Sequence, residues 1–294
     1  MSGWRWRDAA LLAALLAAVS TAALAQSAAA PVPTTAPAPR RIVAIAPSAA
    51  ELVWALGLGG RVVGVGDYVA WPPEARALPK LGGLLDPRLE TVAALRPDLA
   101  VLLPSERELG ERLAALGVPV LEVPHESLAD VERAAQAIAA RAGVPEAGRR
   151  FVARWRRELA PSPLPRRARV VVVVTREPGA LGRPLVAGPG SFLDELVRRL
   201  GLINVFADAP IAWPQVALEE ILGRRPDVIV ELQARAPTAA GAEALRRDWD
   251  ALPQVPAVRD GRIVVLGGDH ALVPGPRLPR LYRELRAALA AALR

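Results

Sequence analysis

Two stretches of this sequence follow one pattern: LETVAALRPDLAV at residues 89–101 and LEEILGRRPDVIV at residues 218–230. In each copy, apolar residues recur at helical spacing, and an Arg-Pro-Asp sequence follows them. Proline disfavours helical geometry in the residue before it, so each helix is predicted to end at the arginine. The apolar run after the aspartate is typical of a buried strand in a parallel sheet. A helix–loop–strand unit that occurs twice favours two related lobes over one large core.

Strands and helices alternate on both sides of each copy, which indicates parallel sheets with right-handed crossovers. The first lobe is predicted at residues 41–142 and the second at residues 164–294, joined by a single long helix within residues 143–163. The fold class is therefore α/β, with two Rossmann-like lobes and parallel central sheets. Sheets of this kind bind ligands beyond the carboxyl ends of their strands. We therefore expect a ligand cleft between the lobes.

Matched serine–acid pairs predict the starts of two corresponding helices. Ser48 stands three residues before Glu51, and Ser191 stands three residues before Asp194. Both pairs have the form of a capping box, in which the serine side chain caps the helix. The sequence therefore predicts that the two lobes begin their first helices in the same way.

The first 25 residues predict export. Arg5 and Arg7 precede an apolar run, and a small-residue cleavage site, ALA, occupies residues 23–25. We interpret residues 1–25 as a cleavable signal peptide and residues 26–40, rich in Ala, Pro and Thr, as a disordered leader. A retained membrane anchor is the alternative, although the run is short for a membrane span. The location predicted for the mature protein is the periplasm.

Composition excludes several classes of protein. The chain contains no cysteine, which excludes disulfides, thiolate metal sites and lipid attachment through an N-terminal cysteine. The formal net charge is +7, but the basic residues are scattered, and Lys80 is the only lysine. No basic cluster is interleaved with aromatic residues, so we expect no nucleic-acid partner.

Candidate ligand-binding residues follow the predicted strands. The first lobe contributes Tyr68 and Trp71, and the second contributes Trp213, Asp269 and His270. Aromatic residues make up only 4% of the chain, so three of them in these loops favour a ligand-binding face. The alternatives are that each tryptophan packs against its neighbouring proline, and that His270 is an ordinary hydrogen-bonding residue.

Signals for catalysis are weak. The sequence has no Gly-x-Ser-x-Gly, P-loop or His-Glu-x-x-His motif, so we predict no catalytic residues and no metal site. Glu90 and Glu219 stand in the first turns of the repeated helices, where the helix dipole stabilises a carboxylate by about 0.3–1 kcal/mol. Two such glutamates at matched places also suit a pair of anions that face one partner.

Five motifs occur in a fixed order along the chain. They are a strand followed by Pro-Ser-x-x-Glu, the repeated Leu-Glu-x6-Pro-Asp, Asn-Val-Phe at 204–206, Trp-Pro-Gln-Val at 213–216 and Pro-Gly-Pro-Arg at 274–277. In this order they resemble the helix-linked substrate-binding proteins of ABC importers for vitamin B12 and iron chelates. Within that family the chain looks most like the cobalamin-binding type.

The resemblance implies specific roles for residues of this chain. Tyr68, Trp213 and Asp269 fall where cobalamin-binding members contact the corrinoid, and Glu90 and Glu219 match the glutamates that dock onto the permease. It also implies a bound ligand, cobalamin, rather than a cofactor. The expected partner is an ABC importer permease dimer, and the binding protein itself is expected to be a monomer.

Some positions depart from the cobalamin-binding pattern. Leu84 and Leu103 stand where the best-known cobalamin binders have tryptophan, and Leu185 stands where a phenylalanine is expected. A cleft with less aromatic area keeps a ferric siderophore or haem open as the ligand. The tyrosine that ligates haem iron in many haem binders is absent after Gly82 and Gly83, which ranks haem lower.

Two other classes of function compete with a binding protein. In a metal-dependent exported enzyme, Asp67, Asp269 and His270 would form a metal or acid/base cluster. In a purely structural exported protein, no small molecule would bind. His125 is a further histidine for which ligand contact is a weaker alternative.

Overall fold

The structure is a computed structural model that describes residues 37–294, except residues 85, 177, 178 and 180. The signal peptide predicted for residues 1–25, and most of the leader predicted for residues 26–40, lie outside the described residues. Within the described part, no helix is both long and apolar enough to cross a bilayer.

The first lobe is built on four parallel strands in the order β2-β1-β3-β4. Its strands are β1 (Ile42–Ala44), β2 (Val62–Val65), β3 (Leu99–Leu102) and β4 (Val120–Glu122). Its helices are α1 (Pro47–Ala55), α2 (Leu89–Ala94), α3 (Arg107–Ala115) and α4 (Leu128–Arg141). Short 3-10 helices at Gly59–Arg61, Pro73–Ala77 and Pro104–Glu106 complete the lobe.

The second lobe repeats this plan with one additional strand and one additional helix. Its strands are β5 (Arg169–Thr175), β6 (Leu185–Val186), β7 (Ile203–Asn204), β8 (Val228–Gln233) and β9 (Ile263–Gly267). Its helices are α6 (Phe192–Arg199), α7 (Leu218–Arg224), α8 (Ala239–Asp248), α9 (Pro256–Arg259) and α10 (Leu278–Ala292). The sheet order is β6-β5-β8-β9, and β7 pairs in parallel with the start of β5. The short strand β6 is antiparallel to β5, so this edge of the sheet departs from the predicted parallel arrangement.

A single helix connects the two lobes, as predicted. The connecting helix has its own number here, α5 (Pro145–Glu158), and Pro145 occupies its first turn. Phe151 and Trp155 lie one turn apart on its buried face, with ring centroids 6.2 Å apart. The Trp155 indole N–H donates to the carbonyl of Gly275, 3.3 Å away, which ties this helix to the second lobe.

Strand β5 shows why the second sheet is covered on both faces. Val170 and Val172 pack in one apolar cluster, while Val171 and Val173 pack in the other. Successive side chains of a strand point to opposite faces, so a continuous valine run fills both layers. This burial pattern is typical of a central strand in a parallel sheet.

The repeated Arg-Pro-Asp sequence ends both helices, as predicted. Helices α2 and α7 end at Ala94 and Arg224. Arg96 and Arg225, the residues before each proline, have φ angles of 44° and 47°. These are the two non-glycine residues with positive φ in the described part of the chain. The left-handed conformation turns the chain out of the helix and into the following strand.

Each aspartate of the repeat holds the start of a neighbouring strand. The Asp98 carboxylate accepts backbone N–H groups from Arg40 and Arg41 at 2.8 and 2.7 Å. Asp227 accepts the backbone N–H of Arg169 at 2.8 Å. The Arg41 side chain donates in turn to the carbonyl of Leu95, as Arg169 does to that of Arg224. In each lobe, the repeat therefore joins the end of one helix to the start of a neighbouring strand through these hydrogen bonds.

The predicted serine caps differ between the lobes. Ser191 caps α6 as predicted, because its hydroxyl accepts the backbone N–H of Asp194 at 3.2 Å. The prediction for Ser48 is wrong, since α1 begins at Pro47 and no side chain caps it. Glu51 is instead 1% exposed and pairs with a residue of the other lobe, as described below.

Candidate functional site

A cavity of about 200 Å³ lies between the two lobes. It opens beyond the ends of β4, β5 and β9, where an open α/β sheet is expected to bind ligands. The first lobe lines it with His125 and Glu126, and the second with Val174, Leu185, Phe192, Trp213, Leu272 and Pro274. Its wall is therefore mostly apolar, with one imidazole and one carboxylate.

Trp213 is the predicted ligand-binding aromatic residue that lines this cavity. Its ring lies 5.7 Å from the ring of Phe192, with the two planes inclined at 56°. The loop that carries Trp213 is fixed on both sides, because Gly188 N–H donates to Ala212 and Val186 N–H donates to Pro214. The half-buried indole thus presents part of its surface to the cavity.

Tyr68 lies on the corresponding loop of the first lobe and is 72% exposed. Its ring packs over Gly83, where an added Cβ would come within 3.3 Å of the ring. Ile211, which the sequence analysis missed, is 58% exposed on the loop that leads to Trp213. The sequence did offer a signal for Ile211, because its loop corresponds to the loop that carries Tyr68 in the first lobe. Large exposed apolar side chains therefore occupy the matching loops of the two lobes.

Arg277 brings Trp71 and Asp269 together at the junction of the lobes. Its guanidinium contacts the Asp269 carboxylate at 2.6 Å and lies 5.3 Å from the centre of the Trp71 ring. The same group donates to the buried carboxylate of Glu51 in the first lobe, with one contact at 2.9 Å. Burial raises the pKa of Glu51, and the hydrogen bonds from Arg277 oppose that shift.

Trp71 and Asp269 therefore both lie against Arg277, Trp71 from the first lobe and Asp269 from the second, and neither lines the cavity. Arg277 belongs to the Pro-Gly-Pro-Arg motif at residues 274–277, and that motif alone predicted no role for it. Its partner Glu51 is 226 residues away in the chain, which is why no local pattern indicated the pair.

His270 faces the interior and not the cavity. The residue is 1% exposed, and its Nε2 lies 2.7 Å from the Glu284 carboxylate on α10. His270 therefore has the geometry of an ordinary hydrogen-bonding residue, which was the alternative to ligand binding. A metal or acid/base cluster of Asp67, Asp269 and His270 is wrong. Asp269 Oδ1 lies 3.9 Å from His270 Nδ1, but Asp67 pairs with Arg88 at 2.9 Å and does not join them.

The described residues contain no group of three or more His, Cys, Asp or Glu side chains that could hold a metal ion. His125 is the histidine that does reach the cavity, and it is half-buried. Burial lowers its pKa, although Glu126 and Asp130 act in the opposite direction. The imidazole is therefore neutral at neutral pH, with a nitrogen lone pair available.

The three leucines at expected aromatic positions lie in different environments. Leu185 is in the cavity wall, where the expected phenylalanine would have widened the aromatic surface. Leu103 is 4% exposed and belongs to the core. Leu84 lines a separate cavity of about 410 Å³ together with Glu106. Only Leu185 therefore bears directly on what the cleft between the lobes can hold.

Backbone contacts across the lobes fix the wall of the cavity. Phe192 N–H donates to the carbonyl of Glu126 at 2.8 Å. In the opposite direction, Leu128 N–H donates to the Glu195 carboxylate at 3.1 Å. These bonds join the start of α4 to the start of α6, so His125 and Trp213 are held on facing sides of one cavity.

Glu90 and Glu219 lie in the first turns of α2 and α7. Both are exposed, and neither has an ion-pair or hydrogen-bond partner in the part of the chain that the structure describes. An exposed, unpaired carboxylate is free to meet a cation on another protein.

A sequence profile of the family described as "Periplasmic binding protein" matches residues 42–270. Among curated proteins, the chain is 26% identical over 248 residues to a vitamin B12-binding protein of Vibrio cholerae serotype O1, covering 81% of this chain and 84% of the relative. It is 27% identical over 241 residues to the vitamin B12-binding protein of Vibrio parahaemolyticus, with the same two coverages.

Solved structures of similar fold include binders of two ligands. The periplasmic vitamin B12-binding protein of Vibrio cholerae gives a TM-score of 0.68 at 25% identity, covering 87% of this chain and 98% of that chain. A periplasmic heme-binding protein from Roseiflexus sp. RS-1, in apo form, gives 0.71 at 26% identity, covering 87% and 99%. One from Pseudomonas aeruginosa gives 0.72 at 26% identity, covering 86% and 93%.

Proposed function

Because this chain belongs to the periplasmic binding protein family and is a solute-binding protein rather than an enzyme, we propose that it captures cobalamin or a related corrinoid and delivers it to an ABC importer permease. Export by a cleavable signal peptide within residues 1–25 and action as a monomer are parts of this proposal. No catalytic residue and no resident cofactor enter it.

The observation that carries the proposal is the apolar cavity walled by both lobes. Trp213 and Leu185 on one side offer a flat surface to a macrocycle. The cavity of about 200 Å³ is smaller than the roughly 300–1,000 Å³ of pockets for drug-sized ligands. Most of a corrinoid would therefore lie outside it, between the exposed side chains of Tyr68 and Ile211.

Haem is the second candidate ligand, because two heme-binding proteins are as similar to this chain as the vitamin B12-binding proteins are. Both ligands are flat metal macrocycles, and the cavity wall suits either. A ferric siderophore is the third. Replacement of an expected phenylalanine by Leu185 supports a ligand that makes fewer aromatic contacts.

Calorimetry with cyanocobalamin and with haemin tests the ligand. Replacing Trp213 with alanine should weaken binding by about 1–3 kcal/mol, the range for a buried aromatic anchor. Leu116→Ala is a matched control, since Leu116 is 57% exposed just after the end of α3 and does not line the cavity. Unchanged affinity in Trp213→Ala removes this contact, and an absence of heat with cyanocobalamin removes cobalamin as the ligand.

The proposed docking residues are Glu90 and Glu219. Charge complementarity between these carboxylates and a basic permease surface would orient the encounter. Truncating one partner of a well-desolvated charge pair at an interface costs about 2–5 kcal/mol. The double variant Glu90→Arg and Glu219→Arg should therefore bind ligand normally but fail to stimulate ATP hydrolysis by the importer in vesicles.

Glu220→Arg provides the control for docking, because Glu220 is exposed in the same first turn of α7 as Glu219. It carries the same change of charge without altering a matched pair. Normal stimulation by the double variant would leave Glu90 and Glu219 as residues that only stabilise the starts of their helices.

A further inference from the structure

A cavity of about 540 Å³ lies in the second lobe and is separate from the cleft. Arg169, the first residue of β5, and Asp227, which directly precedes β8, both line it, so it lies at the amino ends of these strands. The cavity between the lobes lies at carboxyl ends of strands instead. Strand β5 has 7 residues and rises about 3.3 Å per residue, which separates the two cavities by roughly 20 Å.

Folding gathers arginines at this cavity that are scattered in the sequence. They come from three segments of the chain: the start of β5, the end of α7 and the end of α9. We call it the arginine cavity, and the residues that line it are Arg166, Arg169, Arg224, Arg225, Arg259, Asp227, Asp260, Pro256 and Gly223. No aromatic residue is among these described lining residues, so the cavity does not favour stacked nucleobases.

Both aspartates of the arginine cavity are already engaged by other groups. Asp227 accepts the backbone N–H of Arg169 at 2.8 Å. Asp260 pairs with Arg259 at 2.9 Å and with Arg262 at 2.8 Å. The hydrogen bond from Arg259 lowers the pKa of Asp260, so this carboxylate stays ionised at neutral pH. Five arginines against two aspartates still leave an excess of three positive charges in the lining.

Some of these arginines are fixed, and others have N–H groups to spare. Arg169 donates to the carbonyl of Arg224 at 2.8 Å, and Arg224 contacts Asp208 at 2.6 Å. Arg259 contacts Asp260 through Nε and is 62% exposed. The exposed Arg225 side chain has no ion pair or hydrogen bond within the part of the chain that the structure describes. The cavity therefore combines a fixed frame with unused guanidinium donors.

The first lobe shows that the repeated frame does not require this cluster. Ala115 stands two residues before Gly117, where the second lobe has Arg259 two residues before Gly261. Both glycines turn the chain into the last strand of their sheet, with φ angles of 79° and 66°. The same turn is therefore made without an arginine in the first lobe, so the charge at the arginine cavity is an addition to the fold.

We propose that the arginine cavity binds a multiply charged phosphate group. The planar guanidinium presents paired N–H donors that match two phosphate oxygens, and it remains charged at every physiological pH. The excess of three positive charges suits a group with two or more negative charges, such as a diphosphate or a phosphate monoester. This site lies beyond the proposed function, because the ligand of the cleft does not take part in it.

Calorimetry with inorganic pyrophosphate at constant ionic strength tests the site. The double variant Arg225→Gln and Arg259→Gln should weaken binding tenfold or more, because each charge-assisted hydrogen bond contributes roughly a factor of ten. Arg96→Gln with Arg150→Gln is the matched control, since both arginines are exposed and neither lines the arginine cavity. The control loses the same two charges and should bind pyrophosphate within about twofold of wild type.

Vesicles distinguish a lipid headgroup from a soluble phosphate compound. Sedimentation with phosphatidylcholine vesicles, with and without phosphatidic acid, presents the phosphate monoester on a surface. Binding that requires phosphatidic acid and is displaced by pyrophosphate supports the site and assigns it to a headgroup. Binding of pyrophosphate without binding to either vesicle supports the site and assigns it to a soluble phosphate.

Three results would overturn the proposal. The first is that wild type binds neither pyrophosphate nor phosphatidic acid. The second is that the two double variants weaken binding equally, since net charge alone would then explain the affinity. The third is that the Arg225→Gln, Arg259→Gln variant also loses affinity for the ligand of the cleft, because a separate site roughly 20 Å away should leave that affinity unchanged.

Discussion

The first helices of the two lobes carry an acid at the same place but use it differently. In α6, Asp194 stays within its lobe, where the Asn204 side chain donates to it at 3.0 Å and Ser191 caps the helix. In α1, Glu51 reaches across to Arg277 of the other lobe. The repeated frame is thus preserved within each lobe, while the contact between lobes depends on positions where the two copies differ.

A second difference concerns buried acids near the ends of the matched strands β3 and β8. Glu231 in β8 is fully buried, and its carboxylate meets Arg176 at 3.0 Å and the Trp249 indole at 2.8 Å. Glu106, after β3, is 3% exposed and accepts one backbone N–H from Leu103. Its second oxygen has no partner within the described residues. One buried acid is compensated by a cation and the other is not.

The largest expected effect comes from breaking the pair between the lobes. Arg277→Met leaves the Glu51 carboxylate buried at 2% exposure without its cation, and should lower the free energy of unfolding by about 3–5 kcal/mol. Chemical denaturation measures the loss. Arg280→Met is the matched control, because Arg280 is 59% exposed and should lose less than about 1 kcal/mol.

A Glu51→Gln, Arg277→Met double variant should recover much of that loss, since it removes both charges from the junction. No recovery would show that packing of the arginine against Trp71, and not the ion pair, stabilises this junction.

The next effect is the pH dependence of stability that the buried Glu106 produces. Burial raises the pKa of Glu106 to about 7, against the backbone hydrogen bond from Leu103. The folded state therefore keeps a proton that the unfolded state releases near pH 4.5. Stability should fall by roughly 2–4 kcal/mol as pH rises from about 4.5 to 7, and level off above it.

Glu106→Gln should remove most of this slope in urea titrations at several pH values, whereas Glu108→Gln, exposed on α3, should keep it. Glu51, whose pKa is also raised, contributes a slope of the same sign that both variants retain. An unchanged slope in Glu106→Gln would contradict the assignment.

A smaller effect compares the two aspartates of the repeat. Asp98 holds two backbone N–H groups and Asp227 holds one. Replacing each with alanine should cost about 1–2 kcal/mol for Asp98 and about half of that for Asp227, because both carboxylates are partly solvated. Thermal and chemical denaturation measure the free energy of unfolding of each variant. If the two variants lose the same free energy, the second hydrogen bond of Asp98 contributes nothing.

The smallest effect concerns the two arginines with positive φ. A left-handed conformation costs a non-glycine residue about 1–2 kcal/mol, and glycine loses about 0.5–1 kcal/mol to the entropy of the unfolded chain. Arg96→Gly and Arg225→Gly should therefore each stabilise the protein by about 0.5–1 kcal/mol. Arg112→Gly, inside α3, is the control and should destabilise it by about 1 kcal/mol. Destabilisation by both glycines would show that the arginine side chains matter more than their backbone strain.

Much of the fold could be predicted from the sequence, because periodicity and capping act over a few residues. The apolar runs after the two Arg-Pro-Asp sequences were predicted as buried strands, and they form β3 and β8. The helix ends at the Arg-Pro-Asp repeats and the Ser191 cap were also predicted correctly. Side chains spaced at two or 3.6 residues must share a face, so the layers follow from local pattern alone.

Sequence alone also determined which loops carry aromatic residues at strand ends, and Trp213 does line the cavity. It could not determine which way each loop residue faces. His270 follows β9 just as a ligand residue would, but α10 supplies Glu284 and draws the imidazole into the core. Only the tertiary structure sets the position of α10, because that helix packs against the sheet through its own apolar face.

The pair of Glu51 and Arg277 was likewise decided by tertiary structure. Its members are 226 residues apart, and Ser48 with Glu51 has the same local spacing as a capping box. A carboxylate that is buried where a second lobe supplies a guanidinium gains more from that pair than from a helix terminus. Local sequence patterns therefore determine two similar lobes. The packing of one lobe against the other decides whether each acidic residue caps a helix, stays unpaired or forms an ion pair between the lobes.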